Sequence, residues 1–418
     1  MANYNTRLFA SKHLHANNNH VTIFLWKRLI TLYRDQKGAK SMYRKYMSNE
    51  QFNFQVNRFM EPYYNDPKVQ NVIQEAVSHI TNQENWYQTW YDLGNQTEKQ
   101  KQYDLASAYF QLADFFLSEE DERKKETYRR FSEDYYKSID TSQLIFDKVP
   151  YGAGYMPVVR LNHKNATKTI LFHGGFDSYM EEIIRLTLSQ GLYDTLPDYN
   201  FILFEGPGQG VCVRTGVPLT SEWEKPVGAL LDYYHIEEAD ILGMSLGGYL
   251  ATRAAAYEPR IKKVLAFDVM YDMADALIMK MPGADKIIPN LTGNVALQEK
   301  FNDTLIEKAK NNVDLAFKMR KGMDITFAKR PVDFVMEATK YSMDGKLDRI
   351  TQDVLLIGCS KDLYVPADTA AKEALQLTNA RSITSKVFTE RSGGERHCQV
   401  GDKPLAAKCI ISFLNGNF

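Results

Sequence analysis

The sequence predicts an α/β fold: a mostly parallel, doubly wound sheet with an all-helical N-terminal segment and a helical insertion. Three observations predict it. Residues 1–143 carry helix-spaced apolar positions and no strand signal. From Ile145 onward, strand-like runs alternate with helix-like runs, the pattern of a parallel sheet with helices on both faces. Within that alternation, Gly243-Met244-Ser245-Leu246-Gly247 joins an apolar run at 239–242 to a small-residue helical run at 248–257.

In chain order, a polar break at 17–19 precedes an amphipathic run at 21–33, interrupted by Lys27 and Arg28. Asp66-Pro67 starts a helix with Val69, Val72, Ile73, Val77 and Ile80 on one face. Trp86, Tyr87, Trp90 and Tyr91 form an aromatic stretch, and Leu105, Ala108, Tyr109, Leu112, Ala113 and Phe116 recur at helical spacing. A charged helix with Tyr128, Phe131 and Tyr135 follows. These stripes read as helix-packing core. Strands are expected at 157–161, 169–172, 201–204, 239–242, 263–267, 354–357 and 386–388. Glu205-Gly206-Pro207-Gly208-Gln209-Gly210 lacks the spacing of a phosphate cradle. It reads as a tight loop beside a pocket, with no clear helix after it. Residues 270–345 interrupt the alternation with helix-like segments containing Met270, Met273, Met279, Met281, Met319 and Met323. They are expected to cap the strand ends, with the methionines either adapting to ligands or simply packing the cap. The expected organisation is a helical domain over 1–143 and an α/β domain over 144–418, with the cap inserted at about 270–345.

Composition narrows the class of protein. At 418 residues the chain exceeds a usual single core, and 44% hydrophobic with 25% charged residues is ordinary for a globular protein. A net charge of −1 offers no electrostatic case for nucleic acid or an anionic membrane. The run at 21–33 is too short to span a bilayer and no secretory leader is visible. Cys212, Cys359, Cys398 and Cys409 show no paired framework and suit a reducing compartment, so the expected location is the cytoplasm.

The 243–247 turn carries the chemistry. Between a strand and a helix, G-x-S-x-G forces the serine hydroxyl out of the fold. A serine hydroxyl needs a base to take its proton and an acid to hold that base. In this architecture the chain order is serine, acid, histidine. Of eight histidines only His397 follows Ser245, in a polar glycine-containing loop. The expected acid is Asp362, just past the strand-like run at 353–358; Asp368 and Glu373 are rivals placed in the following helix. Backbone N–H groups must also face a developing oxyanion. Leu246 is one expected donor, and Gly175 or Phe176, in the loop after the strand at 169–172, is the other. His173 reads as a brace for that loop.

The chain resembles the α/β-hydrolases that carry an N-terminal helical domain, a group including 2,6-dihydroxypseudooxynicotine hydrolase, the fungal polyketide-shortening hydrolase and the fermentation-respiration switch protein. The resemblance spans roughly residues 85–415. It rests on the tryptophan-rich helix pair, His173-Gly174-Gly175-Phe176-Asp177-Ser178 with Glu181-Glu182, the 205–210 loop, the 243–248 turn, Arg330-Pro331 through Gly345, and His397-Cys398. It is more distantly similar to the acylaminoacyl-peptidase branch, but shows no propeller repeats. The resemblance implies that Asp177 lies near substrate, orienting a hydroxyl or ketone or assisting C–C cleavage. Read from the residues alone, Asp177 is a loop-bracing carboxylate or a helix cap beside Ser178. The resemblance also implies a homodimer.

Together these features read as a serine hydrolase acting through an acyl-enzyme on a small carbonyl compound, without metal or organic cofactor. An ester is the default substrate. The other readings are an acylaminoacyl-peptidase-like exopeptidase, a C–C bond hydrolase of a ketone or diketone, and a non-enzymatic regulator on a hydrolase scaffold.

Overall fold

A computed structural model describes residues 42–278 and 281–417. The break at 17–19, the run at 21–33 and Met279 lie outside the described residues. Five helices come first: α1 (Glu50–Met60), α2 (Pro67–Ser78), α3 (Gln83–Lys99), α4 (Tyr103–Phe115) and α5 (Lys124–Ser138). The starts of α1 and α2 are chemically marked. Asn49 caps α1 by accepting from Phe52 N–H, and Asp66 caps α2 by accepting from Lys68 and Val69 N–H, with Pro67 at the first helical position. Trp86 and Trp90 are fully buried. Trp86 stacks on Phe52 of α1 at 4.9 Å, and Trp90 stacks on Tyr109 of α4 at 5.8 Å. The aromatic stripes are therefore the packing core of these helices.

The sheet has eight strands: β1 (Ile145–Tyr151), β2 (Gly154–Leu161), β3 (Lys168–His173), β4 (Tyr199–Phe204), β5 (Ala239–Met244), β6 (Ile261–Phe267), β7 (Asp353–Cys359) and β8 (Ser382–Phe388). Their order is β1-β2-β4-β3-β5-β6-β7-β8. The β1–β2 and β2–β4 pairings are antiparallel and the rest are parallel. Strand β1 goes beyond the sequence expectation. Its Lys148 and Pro150 weaken the strand signal, and both are tolerated because β1 is an edge strand with exposed Ile145 and Phe146.

Around the sheet lie α6 (Met180–Ser189), α7 (Leu192–Thr195), α8 (Gly210–Arg214), α9 (Glu224–Tyr233) and α10 (Gly247–Tyr257). Between β6 and β7 come α11 (Met273–Ile278), α12 (Ala284–Ile287), α13 (Val295–Ala309), α14 (Val313–Thr326) and α15 (Pro331–Ala338), and after β7 come α16 (Thr369–Gln376) and α17 (Lys403–Leu414). Side chains alternate across the sheet, so Ile241 and Val264 pack with α9 and α10, while Leu242 and Leu265 pack with α6 and α17. Helix α8 corrects the expectation that no helix follows the 205–210 loop. It is a single short turn, begun by Glu205, whose carboxylate accepts from Val211 N–H at 2.7 Å and from Met180 N–H of α6 at 2.8 Å. Burial and the neighbouring Glu181 push the Glu205 carboxyl up to about 7.

The excursion between β6 and β7 is closed at its base: Asp272 bridges Ser342, Met273 N–H donates to Tyr341 O, and Met343 N–H donates to Tyr271 O. Met270, Met273 and Met319 are buried in its packing, and Met281 and Met323 pack against the same core. Helix α14 meets the N-terminal helices. Phe317 stacks on Phe115 at 4.7 Å, Asp324 accepts from Ser118 Oγ and Glu119 N–H at 3.1 Å, and Arg320 donates to the Phe116 carbonyl. Helix α1 is also joined to the start of α17. Glu61 accepts from Gly401 and Lys403 N–H at 3.0 Å, and Lys403 Nζ donates to Arg58 O at 2.7 Å. Among the described residues no helix is long and apolar enough to cross a membrane.

Glu373, a rival acid in the sequence, is fully buried on α16 with neither carboxylate oxygen hydrogen-bonded, and burial pushes it up to about 8. An unfolded carboxyl titrates near about 4.3, so the unfolded chain releases this proton first and stability falls as pH rises from there to about 8. Glu373→Gln is expected to match the wild type at pH about 4 and to exceed it by about 1–3 kcal/mol at pH about 8, read by urea denaturation.

Candidate active site

Strand β5 ends at Met244, and Ser245 takes φ +65°, a left-handed conformation that is unfavourable outside glycine. The conformation is locked from both sides: Ser245 N–H donates to Phe267 O at 2.7 Å, and Gly248 N–H donates to Ser245 O at 2.8 Å. Gly243 is obligatory, because an added Cβ would fall on the Gly247 carbonyl. Helix α10 starts at once and leaves the Ser245 hydroxyl at the C-terminal rim of the sheet.

Two loops bring the other members to that rim. After β7, Asp362 Oδ1 accepts from Tyr364 N–H at 2.7 Å and Val365 N–H at 3.0 Å, which fixes the carboxylate and turns Oδ2 toward His397. His397 lies on a short turn after β8. Its Nδ1 is 2.7 Å from Asp362 Oδ2 and its Nε2 is 2.8 Å from Ser245 Oγ. With Nδ1–H donating to Asp362, Nε2 is free to accept from the serine hydroxyl. The edge of Tyr364 meets the His397 ring at 5.0 Å. The structure thus brings together Ser245, Asp362 and His397. Asp368 directly precedes α16 without a side-chain capping bond, and Glu373 sits within the helix.

Burial opposes charge on His397, but the Asp362 carboxylate outweighs it and holds the imidazolium well above the ordinary histidine range. The same attraction, working against burial, keeps Asp362 below the usual carboxylate value.

Asp268 is a site residue that sequence reasoning missed. It directly follows β6, fully buried, with Oδ2 3.8 Å from His397 Nδ1. It accepts from Cys398 N–H at 3.1 Å and from the Cys359 thiol at 2.9 Å. Burial first, and then the Asp362 charge, push its carboxyl above the usual carboxylate range, while Asp362 is held below it. Its position at the end of a strand beside the elbow strand was the available signal. The donor atoms of Asp268, Asp362 and His397 lie within 4.8 Å of one another, close enough to hold a cation, but the His397 Nδ1 is already engaged by Asp362.

The glycine loop lies against the elbow. An added Cβ on Gly175 would come within 2.6 Å of Leu246 N. Gly175 N–H faces Ser178 Oγ at 3.5 Å. Among the described residues, neither Leu246 nor Phe176 donates its N–H to a protein acceptor. His173 braces this loop: burial lowers its pKa to about 4, Nδ1–H donates to Gly174 O at 2.9 Å, and Nε2 accepts from Trp223 at 3.2 Å.

Asp177 lies at the cavity wall and is held there. Its Oδ1 accepts from Arg58 Nη1 at 3.0 Å, and Arg58 also binds Glu182 in bidentate fashion at 2.8 and 2.6 Å. Arg58 comes from α1, and no local pattern in the sequence pointed to it. Phe54, Arg58, Asp177, Ser245, Tyr364 and His397 line a cavity of about 30 Å³. A larger cleft of about 440 Å³, between 281–285 and 366–372, shares no lining residue with it. Of these two cavities, only the smaller is lined by Ser245 and His397.

The strand order, the elbow and the histidine loop define an α/β-hydrolase, and the chain is a hydrolase of that fold. It is 25% identical over 414 residues to hydrolase LUC6 of Fusarium sp, covering 88% of this chain and 96% of that protein. It is 29% identical over 407 residues to the α/β hydrolase psoB of Aspergillus fumigatus, covering 82% and 88%. Among solved structures, 2,6-dihydroxy-pseudo-oxynicotine hydrolase superposes with a TM-score of 0.58 at 18% identity, covering 86% of this chain and 95% of that one. No family model matches the chain.

Because Asp362 raises the His397 pKa, the neutral imidazole forms only as pH climbs through a midpoint above the ordinary value of about 6.5. NMR titration of the His397 ring is expected to place its midpoint there, and Asp362→Asn is expected to move it downward.

Proposed function

We propose that this protein is a serine hydrolase that opens a small carbonyl substrate, most favourably an ester, through an acyl-enzyme. The observation that carries the reading is the unbroken relay of Ser245 Oγ, His397 Nε2, His397 Nδ1 and Asp362 Oδ2, with steps of 2.8 and 2.7 Å. In this reading Ser245 attacks the carbonyl carbon as His397 takes its proton, and Asp362 stabilises the imidazolium that forms. The N–H groups of Leu246 and Phe176 receive the oxyanion. They are favoured over Gly175, whose N–H faces Ser178 Oγ. His397 then donates its proton to the leaving alcohol, and water activated by the same ring releases the acid.

An ester is favoured over a C–C bond because Asp177, the extra acid near the cavity, is committed to Arg58 and poorly placed to shuttle a proton. A cavity of about 30 Å³ is far below the size of a whole organic substrate, so turnover requires α1 or the loop at 177–178 to part. Such a roof disfavours folded proteins as substrates. The reading includes a helical domain through residue 143 and a cap at about 270–345. It also includes a cytoplasmic location, which four buried free cysteines fit, and the homodimer implied by the resemblance.

A fluorophosphonate is expected to label Ser245. Ser245→Ala and His397→Ala are each expected to lower turnover of p-nitrophenyl acetate by about 10³-fold or more in folded protein. Absence of labelling in folded wild-type protein would reject the enzyme reading in favour of a regulator. Faster turnover of alanine p-nitroanilide or of a 1,3-diketone would move the assignment to a peptidase or a C–C hydrolase. Asp362→Asn is expected to cost about 10³–10⁴-fold in kcat, and Asp268→Asn less than about tenfold. The reverse ranking would make Asp268 the acid partner of His397.

A further inference from the structure

The 205–210 loop is a motif of the sequence to which the proposed reaction gives no task. Its Gln209 is buried, and both polar atoms of the side chain are engaged. Nε2 donates to Gly174 O at 2.7 Å and to Gly175 O at 3.1 Å, and Oε1 accepts from Gly206 N–H at 3.0 Å. These partners fix the orientation of the carboxamide, since the flipped form would set its oxygen against two carbonyl oxygens. The loop that carries Gln209 is itself anchored. Glu205 accepts from Met180 and Val211 N–H, and Gly208 N–H donates to Val217 O at 2.9 Å.

A trans peptide sets its C=O and N–H on opposite edges of one plane. Gathering the carbonyls of Gly174 and Gly175 on one carboxamide therefore turns the N–H groups of Gly175 and Phe176 to the other side. Successive N–H groups facing one way form a concavity suited to an anion. Gly175 N–H meets Ser178 Oγ at 3.5 Å, and among the described residues Phe176 N–H has no protein acceptor. The same segment lies against the elbow. An added Cβ on Gly175 would come within 3.0 Å of Ser245 Cβ, and one on Gly247 within 2.7 Å of Gly174 O.

Rotation of the 175–176 peptide plane is the motion that would withdraw the Phe176 N–H, and it cannot occur while Gln209 holds Gly175 O. His173 does not duplicate this restraint, because its Nδ1–H reaches Gly174 O alone. Glutamine suits the position chemically. It donates twice and accepts once without charge, whereas a lysine or arginine there would bury a cation between carbonyls with no carboxylate to match it.

We propose that Gln209 is the positioning residue of the oxyanion hole: its carboxamide holds the Gly175–Phe176 peptide plane so that Phe176 N–H faces the oxygen of the reacting carbonyl. The inference rests on the serine-hydrolase reading and adds to it a residue that touches neither the substrate nor Ser245, Asp362 or His397.

The test compares the wild type with Gln209→Met, which keeps the reach of the side chain and removes both donors. Turnover of p-nitrophenyl acetate is measured together with inhibition by a trifluoromethyl ketone. The carbon of that ketone bonds to Ser245 Oγ, its oxygen takes the negative charge, and His397 takes the serine proton. In the variant, kcat is expected to fall about 10²-fold while KM stays within about threefold of the wild type. The Ki of the ketone is expected to rise by about the same 10²-fold. The NMR midpoint of His397 in the free protein is expected to stay at its wild-type value. If the methionine variant does not fold, Gln209→Leu serves in its place. Unchanged kcat and Ki in a folded variant would overturn the proposal. So would a fall in kcat that leaves the Ki unmoved or shifts the His397 midpoint, since the loss would then lie elsewhere in the site. If the wild type neither turns over the ester nor takes up a fluorophosphonate at Ser245, it is the hydrolase reading that fails first, and this inference falls with it.

Discussion

One imidazole, held between two fixed oxygens, organises the candidate site at the rim of the sheet. The His397 ring can meet Ser245 Oγ and Asp362 Oδ2 together only because three strand ends are in register. Strand β5 delivers the serine, β7 the aspartate, and the loop after β8 the histidine. Backbone donors of Tyr364 and Val365 remove the freedom of the carboxylate, and the Phe267 carbonyl tethers the elbow. The hydroxyl, the ring and the acid are thus oriented by groups that are themselves immobilised, which is what preorganisation requires.

A second constraint joins the N-terminal helices to this rim. The buried Arg58 guanidinium is shared by Glu182 at the start of α6 and Asp177 in the glycine loop. Burying the Arg58 and Glu182 charges beside the half-buried Asp177 is costly, and the arrangement is tenable because the hydrogen bonds compensate the charges. Removing one partner strands the others, at a cost of about 3–5 kcal/mol. The clamp fixes the register of α1 over the cavity, while the Phe115–Phe317 stack and Asp324 hold α14 to the same helices. The N-terminal helices are consequently tied to two distant parts of the chain.

Much of this architecture was legible in the sequence, and the reason is local chemistry. Gly243 and Gly247 mark a turn that few other residues could form. A single histidine downstream of Ser245 left no choice of base, and Asp362 stood at the end of an obvious buried strand. What escaped has a common cause. Strand β1 is an edge strand whose lysine and proline hide its identity. Helix α8 is one turn long and begins at a glycine-rich loop. Asp268 was one aspartate among many until folding placed it 3.8 Å from the His397 ring. Arg58 sits on a helix with ordinary amphipathic spacing. Its significance comes from partners more than a hundred residues away, which no short pattern records.

The roof helix spans residues 50–60 and the elbow serine is residue 245, with five of the eight strands between them in the chain. Mutations in this helix that spare the Arg58 clamp can therefore reshape what is admitted above the rim without disturbing the strand ends below it. An ancestral chain of this design could acquire a new diet while its bond-breaking parts stayed as they were.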